Sequence, residues 1–194
     1  LNTLQECLNK GVDVNSLNKY GSTALHVAAA MGHDTCILLL IKNHANVDLP
    51  NHKGYTALHY ACLEGHSLCV RQLLKYQMNI HAKSNDRKTP LSLSKHPPIK
   101  TLIKDADEMG ASLLSAARNG DLAVIQRLIQ QEAPLNIIPA QDSYNCESAL
   151  NAAASKGHID CVNALLEAGA APYVCDENSF TPIHSAASCG SVDC

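Results

Sequence analysis

The chain has 194 residues, of which 46% are hydrophobic but only 4% aromatic, with no Trp. Small apolar side chains (Ala, Leu, Cys) must therefore fill its core, which suits thin, tightly packed layers. The net charge of −3, without a dense basic stripe or stacking aromatics, argues against nucleic acid as a partner, and no apolar run is long enough to cross a membrane.

In chain order, Gly11-Val12-Asp13-Val14-Asn15 closes an incomplete unit. Gly21-Ser22-Thr23-Ala24-Leu25-His26 then opens a unit, and Gly54-Tyr55-Thr56-Ala57-Leu58-His59 repeats it 33 residues later. The phrase returns as Thr89-Pro90-Leu91 and again as Thr181-Pro182-Ile183-His184. Self-similarity at this period predicts a solenoid of small units, each packed only on its neighbours. Each unit reads as helix, tight turn, helix, extended loop. Thr23 suits an N-cap, because its hydroxyl can accept from an orphan amide of the first turn. Gly32 ends the first helix where a left-handed residue is needed. Cys36, Ile37, Leu40 and Ile41 form the apolar face of a second helix, and Asn46–Pro50 runs on extended. The same grammar surrounds Gly65, Gly120, Gly157 and Gly190. Pro90 and Pro182 fall at the first helical position, where a missing amide costs nothing.

One interruption stands out. Pro97-Pro98 replaces the expected Gly-His, which predicts a curtailed helix over Ile99–Asp105. A fresh unit, Ala111–Asp121, then opens about 11 residues early, with Asp107 and Glu108 ahead of it. The expected organisation is therefore two blocks. Residues 1–104 hold a partial, two full and one degenerate repeat. Residues 105–194 hold a cap-like, a full and a truncated repeat. The two blocks would stack in one continuous solenoid that bends near 95–110. Loop 137–148, with Pro139 and Cys146, should protrude. Both ends stop inside a unit, so a fragment of a longer protein is expected.

The signature over Gly21–His33, Gly54–His66 and, less fully, Ser179–Gly190 resembles that of the ankyrin repeat family. The resemblance implies an all-α solenoid of helix-turn-helix units with β-hairpin fingers, binding protein through the fingers and first helices. The block organisation is loosely similar to the ankyrin clusters of tankyrases and to ankyrin subunits of protein phosphatase 6, but no tankyrase binding residue carries over. In the family the signature His knits adjacent loops. It is kept at His26, His59 and His184 and replaced by Ser92, Leu114 and Asn151, so those three junctions are expected to be looser. The helix-ending Gly is replaced by His44, Gln77 and Glu132, each strained at positive φ.

No chemistry-bearing constellation is complete. His33/Cys36, His66/Cys69 and His158/Cys161 have half a zinc site's spacing, but they read as repeat grammar in successive layers. No Gly-rich phosphate loop occurs, so no catalytic residue, metal or cofactor is expected. Cys36, Cys69, Cys161 and Cys194 fall on buried helix sides, which predicts free thiols and a reducing home, the cytoplasm and possibly the nucleus. The expected function is a scaffold, a monomer binding partner proteins or peptides. The alternative is the targeting region of a larger enzyme (an ADP-ribosyltransferase, kinase or phosphatase complex). In the family's frame the binding positions are Lys19, Tyr20, Ser22 and Met31, then His52, Lys53, Tyr55, Leu63 and Glu64. The later block offers Arg118, Asn119, Tyr144, Glu147, Lys156, Glu177, Asn178 and Phe180. Tyr20, Tyr55 and Phe180 stand out, since exposed aromatics are favoured anchors. Residues 1–104 carry 12 Lys and Arg against 6 Asp and Glu; residues 105–194 carry 3 against 12. An acidic or phosphorylated peptide is expected for the first block and a basic one for the second. Asn15, in Asp13-Val14-Asn15, resembles a favoured site of ankyrin asparaginyl hydroxylation.

Overall fold

The structure, a computed structural model of the chain, describes residues 2–76, 79–139, 147–176 and 178–190. Every regular element among them is a helix. The backbone divides into two compact units: Leu1–Leu74 with Met78–Ile103, and Lys75–Gln77 with Lys104–Cys194.

In the first unit α1 (Asn2–Asn9), α2 (Ala24–Ala30), α3 (Asp34–Lys42), α4 (Ala57–Glu64), α5 (Ser67–Leu74) and α6 (Pro90–Leu93) follow one another. First helices form one layer, with α2 beside α4 and α4 beside α6, and second helices form another, with α3 beside α5. Leu25, Ala29, Ile37, Leu40, Leu58, Ala61, Cys62, Cys69 and Leu73 are fully buried between them. The alanines let helix backbones approach closely, as the composition requires. Thr23 caps α2 by accepting from the His26 amide, and Pro90 opens α6. Cys36 is only half-buried, whereas Cys69 and Cys161 are fully buried.

Gly32 shows why the turn is written Gly-His. Its φ is +73°, and a Cβ placed there would lie 2.8 Å from the His66 ring of the next repeat. That ring sits where it does because its Nε2 bonds the Ala30 carbonyl at 3.0 Å. His158 repeats the contact against Gly120 and bonds the Arg118 carbonyl at 3.2 Å. Where glycine is missing at the second helix's end, the backbone still adopts the left-handed conformation, with φ +65° at His44 and +56° at Glu132.

The second unit contains α8 (Leu122–Gln130), α9 (Ala149–Ser155), α10 (Ile159–Glu167) and α11 (Pro182–Cys189), with α8 beside α10 and α9 beside α11. Leu113, Ala117, Ile125, Leu150, Ala153, Cys161 and Leu165 form its core. Ahead of α8 comes a correction to the expected curtailed helix over Ile99–Asp105. A single helix, α7, runs unbroken over Pro97–Asn119, 23 residues. Two prolines in the first turn start a helix as readily as they stop one, because the amides there have no partner anyway. Nothing downstream breaks it: Asp105–Glu108 continue the turn. Gly110 costs only about 1 kcal/mol in a helix interior, and it lets Ile137 approach, with Cγ2 at 3.2 Å from a Cβ placed there.

The expected β-hairpin fingers are turns among the described residues. Each is closed by a pair of backbone bonds: Asn18 N–H to Ser22 O at 3.0 Å with Gly21 N–H to Asn18 O at 2.9 Å, and likewise Asn51 to Tyr55 with Gly54 to Asn51, Ser84 to Lys88 with Arg87 to Ser84, and Asp176 to Phe180 with Ser179 to Asp176. These bonds close the turns, and no strand is formed beside them among the described residues.

Gly32→Ala is expected to lower stability by about 1–3 kcal/mol, from left-handed strain and displacement of His66. Urea denaturation followed by circular dichroism would read it; an unchanged midpoint would mean that the turn does not need glycine.

Candidate functional site

Each surface in this fold depends on how one repeat is tied to the next. His26 Nδ1 accepts the Thr23 N–H at 3.1 Å, so Nε2 carries the proton and donates to the Tyr55 carbonyl at 2.8 Å. His59 does the same, accepting from Thr56 N–H at 3.0 Å and donating to the Lys88 carbonyl at 3.1 Å. Both imidazoles are buried, and desolvation pushes their pKa values down, opposed by these carbonyl bonds. They are neutral connectors.

The second unit corrects the expectation of a loose junction at Asn151. Its Nδ2 donates to the Phe180 carbonyl at 2.9 Å, spanning the same 29 residues as the histidines. What the shorter side chain loses is the backward reach: Oδ1 is buried without a partner among the described residues. Ser148 caps α9 by accepting from the Asn151 N–H at 3.1 Å. The other two replacements behave differently. Ser92 uses its hydroxyl on its own cap, donating to Thr89 O at 2.8 Å, and Leu114 is buried apolar.

A parallel set of ties joins the extended loops. Asn15 Oδ1 accepts from Asn46 N–H at 2.8 Å, and Asn136 Oδ1 accepts from Ala171 N–H at 2.8 Å. At the position equivalent to Asn15 stands Asp48, whose carboxylate oxygens lie 2.9 and 3.1 Å from Asn79 N. Burial raises its pKa to about 6, against the lowering effect of the Asn79 bond. Asn15 is half-buried and also donates from Nδ2 to His44 O at 3.5 Å.

On this frame the finger face of the first unit displays most of the anticipated residues. Lys19, Tyr20, Met31, His52, Lys53 and Glu64 are exposed, Leu63 half-buried. Tyr20 is 62% and Met31 64% exposed, and the Lys19 ammonium lies 5.0 Å from the Tyr20 ring centroid. Tyr55 is turned to structural use: it stacks on His59 with centroids 5.3 Å apart and packs edge-on against Tyr60 at 5.5 Å. Ser22 is tied to that cluster, since Asn51 Nδ2 donates to Ser22 Oγ at 3.3 Å and to the Tyr60 hydroxyl at 2.9 Å. Tyr60, Val27 and Asn51 escaped the sequence reading. Val27 and Tyr60 occupy equivalent helix positions 33 residues apart, one turn before Met31 and Glu64, and that register was the signal available.

In the second unit Arg118 and Glu147 come together in a two-nitrogen ion pair, Nε at 3.0 Å and Nη2 at 2.6 Å from Oε2. Asn119, Lys156 and Asn178 are exposed, and the exposed Phe180 ring lies 5.7 Å from His184. Tyr144, Glu177, Gln77, Cys146, Cys194 and most of loop 137–148 lie outside the described residues. A groove of about 630 Å³ runs between α7 and α8, with Glu108, Ala111, Ser112, Ser115, Ala116 and Arg127 among its lining residues. Among the described residues no three His, Cys, Asp or Glu converge to hold a metal. The His66/Cys69 pair is divided between a carbonyl bond and the core. Burial pushes the Cys62 thiol up to about 12 and Cys69 to about 11, so neither is a thiolate nucleophile near neutrality.

Repeated capping turns, Gly-His stacking and 29-residue ties are what a comparison with known families should find, and residues 1–86 and 113–194 match a model described as ankyrin repeats in three copies. The chain belongs to the ankyrin repeat family. It is 32% identical over 188 residues to the potassium channel AKT2/3 of Arabidopsis thaliana, covering 93% of this chain and 19% of that protein. It is 30% identical over 203 residues to the ankyrin repeat protein nuc-2 of Neurospora crassa, covering 98% of this chain and again 19% of the relative. The chain thus spans about a fifth of either relative. Among solved structures, the ankyrin repeat domain of Bcl-3 is 24% identical with a TM-score of 0.48, covering 95% of this chain and 86% of that one. Ankyrin repeats generally mediate protein–protein interaction and are typically non-catalytic.

Asn151→Ala should destabilise the ankyrin fold by about 1 kcal/mol, the net cost of the lost Nδ2 bond, since the Phe180 carbonyl keeps the Asp176 N–H; urea denaturation measures it. Asp48→Asn should do the opposite, with a defined pH dependence. Because the folded pKa is raised from 3.8 to about 6, folding binds the proton more tightly. Stability from this group is present below pH 4 and lost as pH rises through 6. Asparagine can accept the same bond without charge, so the variant should gain about 1–2 kcal/mol at pH 7.5 and nothing at pH 4. Melting temperatures at the two pH values decide it.

Proposed function

We propose that this ankyrin region is a protein-interaction scaffold that presents its finger and first-helix face to a partner. The observation that carries the reading is the exposure of Tyr20, Val27 and Met31 beside side chains committed to bonding: Tyr55, Tyr60 and Asn51 hold the frame while Tyr20 and Met31 remain open. Large apolar side chains held open on a bonded frame supply contact area at little ordering cost. The ion-paired Arg118 and Glu147, with Asn119, Lys156, Asn178 and Phe180, offer a second patch of different chemistry. No catalytic role is assigned to any residue. The finger tips work as presenting turns whether or not their pairing extends to hairpins. Free thiols at every described cysteine support a reducing compartment, the cytoplasm or nucleus, and the chain acts as a monomer.

A second reading rests on the length of its relatives. A region that spans about a fifth of AKT2/3 and nuc-2 can serve as the targeting part of a larger protein, an enzyme included. In that case the same face selects the substrate.

Affinity capture from cell lysate with the parent and a Tyr20→Ala/Met31→Ala variant, matched for thermal stability, tests the first reading. A partner captured by the parent and reduced about tenfold or more by the variant, the scale of losing an anchor residue, is the expected result. A partner retained equally would move the interface off this face.

A further inference from the structure

The same face of the first unit carries a charge pattern that narrows what it can hold. Lys19, His52, Lys53, Arg87 and Lys88 are all exposed at the finger tips. They are held in a row by bonds between successive tips. His52 N–H donates to Tyr20 O at 3.2 Å, Asn85 N–H to Lys53 O at 3.0 Å, and Asn85 Nδ2 to His52 O at 2.9 Å. The tips approach so closely that a Cβ on Gly21, whose φ is +72°, would overlap the His52 ring. Asp86 is the acid in the row and Glu64 the one on the neighbouring helix end. Among the described residues no carboxylate is ion-paired with Lys53, Arg87 or Lys88. Beside this row stands the apolar surface of Tyr20, Val27 and Met31, continued by half-buried Tyr60 and Leu63.

We propose that the finger face of the first unit docks an acidic peptide segment whose carboxylates meet the finger-tip cations and whose apolar side chains meet Tyr20, Val27 and Met31. The inference rests on the scaffold reading above and adds the chemistry of the occupant. Fixed like charges in a row raise the local potential and attract the opposite sign. A segment bearing acids alone would leave Val27 and Met31 uncovered, and one bearing apolar residues alone would leave the cations without counter-charge. A segment with both satisfies both, and charge complementarity across such a surface supplies specificity and association rate.

Panning a displayed library of random peptides about 16 residues long against the whole chain tests this. Counter-selection uses a Lys19→Ala/Lys53→Ala/Lys88→Ala variant of unchanged melting temperature. The expected result is enrichment of peptides combining Asp or Glu with Leu, Ile or Phe. Synthesised, they should bind the triple variant about tenfold or more weakly and lose affinity between about 50 and 300 mM NaCl. Neutral or basic winners, winners held equally by the triple variant, or no winners at all would overturn the proposal. The scaffold reading is distinguished by the Tyr20→Ala/Met31→Ala variant: winners that ignore the lysines but need Tyr20 and Met31 refute the acidic occupant and leave that reading intact. Two rival occupants are checked alongside. Self-association by sedimentation that the triple variant abolishes would assign the face to a second copy, whose residues 105–194 are acidic. Co-sedimentation with phosphatidylserine-containing vesicles that the triple variant abolishes would assign it to a membrane surface. Either outcome overturns the peptide.

Discussion

A buried side-chain nitrogen reaching a carbonyl 29 residues ahead is the constraint on which the other features hang. His26, His59 and Asn151 each make that reach, and each begins from the first turn of a helix. One end of the tie is therefore fixed by the cap of its own repeat and the other by the finger of the next. A lateral bond of this kind does in a stack what a core does in a globule: it makes each layer's order conditional on its neighbour's. The loop ties from Asn15, Asp48 and Asn136 run beside it as a second rail. Two rails per junction resist twisting where a single bond would act as a pivot.

The rails differ in their response to acid. Histidine ties require a neutral ring that accepts at Nδ1. Their folded pKa values are lowered, so the stability they contribute is present above the ordinary value of 6.5 and lost as pH falls below it. Asp48 works in the opposite sense over the range from about 4 to 6. The two effects offset across mildly acidic pH, which leaves the first unit less acid-sensitive than its buried histidines alone would make it.

Much of this was readable from residues, and the reasons differ by feature. Thr23, Pro90, Pro182 and Gly32 were legible because their roles are local: a cap, a fixed φ and a left-handed turn are decided within a few residues. The β-hairpin pairing expected at the fingers depends on bonds between segments, which local grammar does not decide. The helix α7 departs from the expected curtailed helix because Pro97-Pro98 has two meanings, end and beginning. Choosing between them depends on the downstream residues, and Asp105–Glu108 resemble a cap only if a helix has already stopped. Residue type alone suggests a lost tie at Asn151, but reach decides it: an amide is shorter than an imidazole yet has a donor long enough for one of the two bonds. Tyr55 looked like an anchor and is a stacking partner, because aromatic exposure depends on whether the side chain three or four positions on offers it a flat ring, as His59 does.

The acceptor in each 29-residue tie is a main-chain oxygen, belonging to Tyr55, Lys88 and Phe180. A carbonyl is indifferent to the side chain attached beside it. The residue that receives the tie can be replaced by almost any other without touching the bond, while the donor at 26, 59 or 151 cannot. Variation is thereby channelled: substitutions that rewrite what the finger face recognises leave the joint between layers intact. One scaffold can change its clientele without being rebuilt.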